Sequence, residues 1–134
     1  MSAMKRFRCI FCAVMAMMLS SCGDKVSSEE VVATTAQLYY SYLLDGRYED
    51  FVAGIDHRLQ GGADYDAQLV ANAKMFVHQQ KERHEGIREI SIVNAMVDED
   101  AHAANVFLLL AFADSTDEQV VVPMVERDGI WYMR

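Results

Sequence analysis

Polar and apolar positions along this chain change rhythm near residue 87, and the change divides it into a helical half and a sheet half. Ser27-Ser28-Glu29-Glu30 opens the first helix, with Ser27 and Glu30 at capping-box spacing. Behind it Val31 or Val32, Thr35, Leu38, Tyr39, Tyr42 and Leu43 recur at intervals of three and four, which puts them on one face. Asp45-Gly46 is a stop. Residues 48–55 read as a second, shorter helix, and Asp56-His57-Arg58-Leu59-Gln60 then runs into Gly61-Gly62, which breaks regular structure. Asp64 can cap a third helix that runs to His84, with Leu69, Ala73, Phe76, Val77 and Gln80 facing inward. Lys74, His78, Lys81 and Glu85 fall on its solvated side, and Gly86 ends it.

From Ile87 the period becomes two. Ile90, Ile92 and Met96 alternate against Glu89, Ser91 and Val93, and Asp98-Glu99-Asp100 supplies a polar turn. Residues 101–113 are the most apolar run, apolar on both faces at Val106, Phe107, Leu108, Leu109 and Leu110, as a central strand would be. Residues 120–127 form a third strand, in which Pro123, lacking an N–H, suits an edge or a bulge better than a central position. Asp128-Gly129 is a hairpin turn signal, and residues 130–134 are the last strand. Met75, Met96, Met124 and Met133 fit core positions. The expected fold is α+β, with three N-terminal helices covering one face of a curved antiparallel sheet of about four strands.

Ahead of this pattern stands a leader. Lys5, Arg6 and Arg8 precede an apolar middle that ends at Leu19, the layout of a secretory signal and too short to span a bilayer. Leu19, Ser20, Ser21 and Cys22 resemble, position by position, the lipobox of bacterial lipoproteins. That resemblance implies cleavage before Cys22, acylation of Cys22 and attachment to a membrane through it, since several acyl chains on one residue anchor stably where one does not. The chain then divides into a signal peptide at 1–21, a lipidated tether at 22–28 and one domain at 29–134. Cys9 and Cys12 fall in the leader, so Cys22 is the sole remaining cysteine and no intramolecular disulfide forms. The full chain carries twelve basic and twenty acidic side chains; three basic ones leave with the leader, so nine face twenty, a formal charge of −11. Such a balance argues against nucleic acid and anionic headgroups as partners. The expected location is the bacterial cell envelope, at the outer membrane facing the periplasm, with display on the cell surface as the alternative.

The helical first half, the meander of strands and the final hairpin Val125-Glu126-Arg127-Asp128-Gly129-Ile130-Trp131-Tyr132-Met133 resemble the cone-shaped fold of the nuclear-transport-factor-two-like superfamily. More narrowly they resemble its small bacterial lipoproteins, described as lumazine-binding-like. Many members place a short strand between the second and third helices, and here residues 56–60 are the segment that could provide it.

Members of that superfamily include enzymes, ligand binders and assembly modules, and a fold does not choose among them. Pocket chemistry would need a carboxylate or His beside a hydroxyl or acid able to bind an oxyanion. The candidate pocket residues are Tyr39, Tyr42, Asp56, His57, Asn105 and Trp131. Tyr39 and Tyr42 at helical spacing also suit core aromatics with hydroxyls at the rim. Asn105 interrupts the apolar central run, and a buried amide there would need partners. His78, Glu82 and His84 lack the further ligands of a metal site at a recognisable spacing, and no phosphate loop or nucleophile elbow appears, so no cofactor is implied. The resulting expectation is a membrane-anchored envelope lipoprotein whose domain binds a partner protein or a small apolar ligand without chemistry. The alternatives are a pocket enzyme of isomerase or hydrolase type, and a homodimer formed through the open sheet face.

Overall fold

The computed structural model describes residues 27–59 and 62–134. The leader, the Leu19-Ser20-Ser21-Cys22 motif, most of the tether, Gln60 and Gly61 lie outside the described residues. Helices α1 (Ser28–Leu44), α2 (Tyr48–Ala53) and α3 (Ala63–His84) precede strands β1 (Ile87–Asp98), β2 (Ala103–Phe112), β3 (Asp117–Arg127) and β4 (Ile130–Met133). The strands form one antiparallel meander in the order β1-β2-β3-β4. The expected α+β arrangement, helices first and four strands after, is the one observed.

Ser27 caps α1 by accepting the Glu30 N–H on Oγ at 3.2 Å. The buried stripe of α1 is Val32, Ala33, Ala36 and Leu43, whereas Leu38 and Val31 are exposed. The expected stripe was thus rotated: two alanines let the helix axis approach the sheet closely, and it packs chiefly on β1. Gln37 Nε2 adds a bond to the Ile90 carbonyl at 3.0 Å. On α3 the inward set expected from the pattern is the set that turns away from solvent, with Ala73 and Gln80 fully buried. Asp64 sits in its first turn and Gly62, at φ 86°, stands at the cap position instead.

Strand β2 alternates strictly. Ala104, Val106, Leu108, Leu110 and Phe112 face the helices and are buried, each of the larger ones contributing roughly 1.5–3 kcal/mol through burial. Asn105, Phe107 and Leu109 point to the other face. Val122, Met124, Trp131 and Met133 extend the same core across β3 and β4. In β1 a register shift between Ile92 and Asn94 inserts one residue, so Ala95 pairs with the inward Val106 and Met96 with the outward Asn105. The alternation read for Met96 therefore fails, and Met96 is 63% exposed. Met75, on the outer side of α3, is exposed as well, while Met124 and Met133 are core residues.

Pro123 lies in β3, which has neighbours on both sides. Its carbonyl accepts the Arg134 N–H at 2.9 Å, and in an antiparallel strand a residue's nitrogen points the same way as its carbonyl. The missing N–H thus falls just past the end of β4, an edge-like place on an interior strand. Asp128 and Gly129 both take positive φ, 54° and 80°, the conformation of a two-residue hairpin turn.

The outer edge of β4 is covered by the segment between α2 and α3. Met133 N–H donates to the Gly54 carbonyl and Asp56 N–H to the Met133 carbonyl, both at 2.7 Å, and Ile55 forms a parallel bridge with Met133. The short strand expected at 56–60 is centred on Ile55; from His57 the chain coils into a 3-10 turn, His57–Leu59. Gly54 is buried under the Tyr39 ring, and a Cβ there would lie 2.7 Å from ring carbons Cδ1 and Cε1.

Gly54→Ala should therefore destabilise the domain by about 1–3 kcal/mol through overpacking, measured by urea denaturation. In a Tyr39→Ala background the same substitution should be far milder; an equal loss in both backgrounds would contradict the contact.

Candidate functional site

Asp56 is the buried carboxylate of the domain, with its side chain 4% exposed. Arg127, at the end of β3, grips it through Nε at 3.1 and 3.0 Å to the two oxygens and through Nη2 at 2.8 Å. The Arg58 N–H adds a bond to Oδ1 at 3.3 Å. The hydrogen bonds from Arg127 hold the Asp56 carboxyl below the ordinary aspartate range, against the opposing effect of burial. The same bonds raise the pKa of Arg127. A general base needs a pKa near the working pH, and this pair moves Asp56 the other way.

Tyr39 donates its hydroxyl to the Trp131 carbonyl at 2.7 Å. Burial raises its pKa, assisted by Tyr132 and Tyr42. The hydroxyl that an oxyanion would require is thus committed to the β4 backbone. Tyr42 lies 6.5 Å from Tyr39 between ring centroids and carries the Arg47 guanidinium 4.4 Å over its ring. The Trp131 side chain is buried on the inner face. His57 is half-exposed beside Asp66 at 3.7 Å. Of these candidates the structure joins Tyr39 to Trp131 and sets Asp56 and His57 in the wall of one hollow, but it brings no carboxylate, imidazole and free hydroxyl among them to one point. Asn105 stands apart from all of them. The buried amide expected there is instead exposed on the opposite sheet face, because the alternation of β2 sends odd-numbered side chains outward.

A Thr–His–Asp cluster joins the end of α3 to the β2–β3 turn, and it was not singled out from sequence. His84 Nδ1 lies 3.1 Å from Asp114 Oδ2 and 3.3 Å from Thr116 Oγ1, and the imidazole stacks on Phe112 at 4.2 Å. A nucleophile–base–orienter relay uses both ring nitrogens; here both partners crowd one. The Thr116 hydroxyl and N–H, then His84, hold the Asp114 carboxyl low. With Asp114 N–H donating to the His84 carbonyl and Ala113 N–H to the Gly86 carbonyl, the cluster is a latch between helix and turn. His78 and Glu82 form a solvent-exposed pair at 3.1 Å, and among the described residues no three metal-ligating side chains converge.

Two hollows flank the 54–56 segment. Tyr40, Leu43, Phe51, Ile55, Leu69 and Phe76, with Ala73 and Asn72, line an apolar one of about 200 Å³ between the three helices. Burial raises the pKa of the Tyr40 hydroxyl at its wall. On the other side, Asp56, His57, Arg58, Arg127 and Asp128, with Ile130 and Tyr132, surround a polar one of about 380 Å³.

The sequence matches no protein-family model and no curated protein sequence. Among solved structures, the chain is similar to a Campylobacter jejuni protein described as a "Putative NTF2-like transpeptidase", with a TM-score of 0.56 and 17% identity over 75% of this chain and 94% of that one. The domain thus has the NTF2-like fold, the nuclear-transport-factor-two-like roll expected from the helical half, the strand meander and the last hairpin. At that identity the similarity speaks to architecture and not to chemistry.

The depressed carboxyls set the acid side of the stability profile. A carboxyl whose folded pKa lies below the ordinary value of 3.8 contributes stability that is complete above that value and is lost as pH falls through the folded one. Denaturation midpoints should fall at acid pH, and Asp56→Asn should lower the midpoint by several degrees at neutral pH and flatten the acid limb. Parallel pH profiles for the two proteins would show that the pair contributes nothing.

Proposed function

We propose that this protein is a lipid-anchored module of the bacterial envelope that holds an apolar group, from a small ligand or a partner protein, in the hollow between its helices and performs no chemistry. The observation that carries the reading is the contrast between the hollow and the candidate reactive groups. Asp56 and Tyr39 spend their polar atoms on Arg127 and Trp131, the interior between helices and sheet is filled by core side chains, and the open space among the helices is bounded almost wholly by carbon. At about 200 Å³ it exceeds the ~150 Å³ that accommodates benzene in an apolar cavity and falls short of the ~300 Å³ at which whole-ligand pockets begin. An aromatic ring or a short acyl segment is the matching guest. The leader and Cys22 support anchoring, and the acidic balance of the remaining chain supports an uncharged guest over an anionic one.

Toluene added to the full chain in a non-ionic detergent should shift the methyl resonances of Leu43 saturably, and Leu69→Trp, which fills much of the hollow, should abolish the shift without lowering the denaturation midpoint. Equal shifts in both proteins would overturn the assignment of the hollow. The intact mass of protein extracted from envelope membranes should correspond to a chain that begins at Cys22 and carries acyl groups; a chain beginning elsewhere, or unacylated, would overturn the anchor.

A further inference from the structure

The polar hollow beyond Asp56 is separate from the apolar one and makes its own case. Arg127 is immobilised by its bonds to Asp56, and its side chain remains 28% exposed. A guanidinium has five N–H donors in a rigid plane. Nε–H and one Nη2–H serve Asp56, and among the described residues all side-chain hydrogen bonds of Arg127 go to that carboxylate. Three donors are left over.

Arg58, whose backbone N–H also binds Asp56, brings a second guanidinium to the same hollow. Its ionic neighbour is Asp128 at 3.8 Å, a distance beyond a hydrogen bond, with Asp128 93% exposed. An attraction so fully in water offsets little of the Arg58 charge. Asp56 neutralises Arg127, and Arg58, itself 60% exposed, shares the hollow with Asp128, so two guanidiniums face two carboxylates there in a chain that is otherwise strongly acidic. His57 and Asp128 also line it, and the rest of its wall is apolar: Ile130, half-exposed, and Tyr132, on the outward side of β4.

We infer that this hollow binds a small organic monocarboxylate, its carboxylate held by Arg127 and Arg58 and its apolar body lying against Ile130 and the Tyr132 ring. The planar fork of a locked arginine matches a carboxylate in two parallel bonds. With Asp56 and Asp128 at the same hollow, a monoanion meets less repulsion than a phosphate dianion, and the apolar wall would be left wet by a bare inorganic ion. The volume of about 380 Å³ lies in the range of small-molecule sites, ~300–1,000 Å³. Asp56 acts here as a positioning residue that aims Arg127.

The test uses the full chain in a non-ionic detergent, with benzoate as probe, read through the Arg127 Nε–H resonance and the amides of His57 and Arg58. Benzoate should shift these signals saturably, and Arg58→Gln should weaken it roughly fivefold or more with an unchanged denaturation midpoint. Benzamide, the same ring without the charge, should bind about tenfold more weakly or worse, and inorganic phosphate should not saturate. No saturable shift with benzoate up to tens of millimolar, equal binding of benzamide or phosphate, or an Arg58→Gln protein that binds benzoate as before would each overturn the assignment. Arg127 itself is left intact, because its loss would strand a buried carboxylate.

Discussion

A buried carboxylate far along the chain from its counter-ion is the constraint on which this domain turns. Asp56 and Arg127 lie 71 residues apart, one in the link between helices and the other at the last hairpin, and the Asp56 carboxylate cannot stay charged and buried without the guanidinium. Their bidentate contact draws the link against β4, where the Gly54, Asp56 and Met133 backbone bonds then close. Tyr39 adds a third tie from α1 to the Trp131 carbonyl over the glycine that gives its ring room. The helical half is thereby fastened at the far edge of the sheet as well as along β1, where α1 lies. A sheet edge that would otherwise offer unpaired backbone groups is covered in the same stroke.

That fastening also divides the surface chemistry. Ile55 turns into the apolar hollow among the helices, and Asp56, the next residue, belongs to the polar hollow with its two arginines. Alternation along an extended segment is enough to do this. Asp56 and Tyr39, which look suited to acid–base work, spend their polar atoms in building that wall, and binding in the hollows is proposed on that ground.

Much of the architecture is legible in the amino-acid sequence. The change of period at Ile87, the Ser27 cap, the inward face of α3 and the Asp128-Gly129 turn each express a local rule, and each stands in the structure. What stayed hidden depends on contacts between distant residues. The inserted residue near Val93 reverses the phase of β1 and sends Met96 outward, and nothing in the letters Ile-Val-Asn announces it. Leu38 has the size and spacing of a core residue, yet the small residues Ala33 and Ala36 mark the face that meets the sheet. Asn105 looked buried because its neighbours in sequence are apolar, although its neighbours on the same face are what decide. Asp56 was visible as a candidate; its partner was not, because Arg127 in a charged hairpin reads as a surface residue until the fold brings it across.

Amide hydrogen exchange of the full chain tests the clamp most directly. If the Asp56–Arg127 pair fastens the link to the sheet, the Asp56 and Met133 amides will exchange as slowly as those of Val106 and Leu108 in the centre of β2. Exchange of those two amides at the rate of the β1–β2 turn, residues 99–101, would mean that the link opens freely, and the account built on the clamp would be wrong.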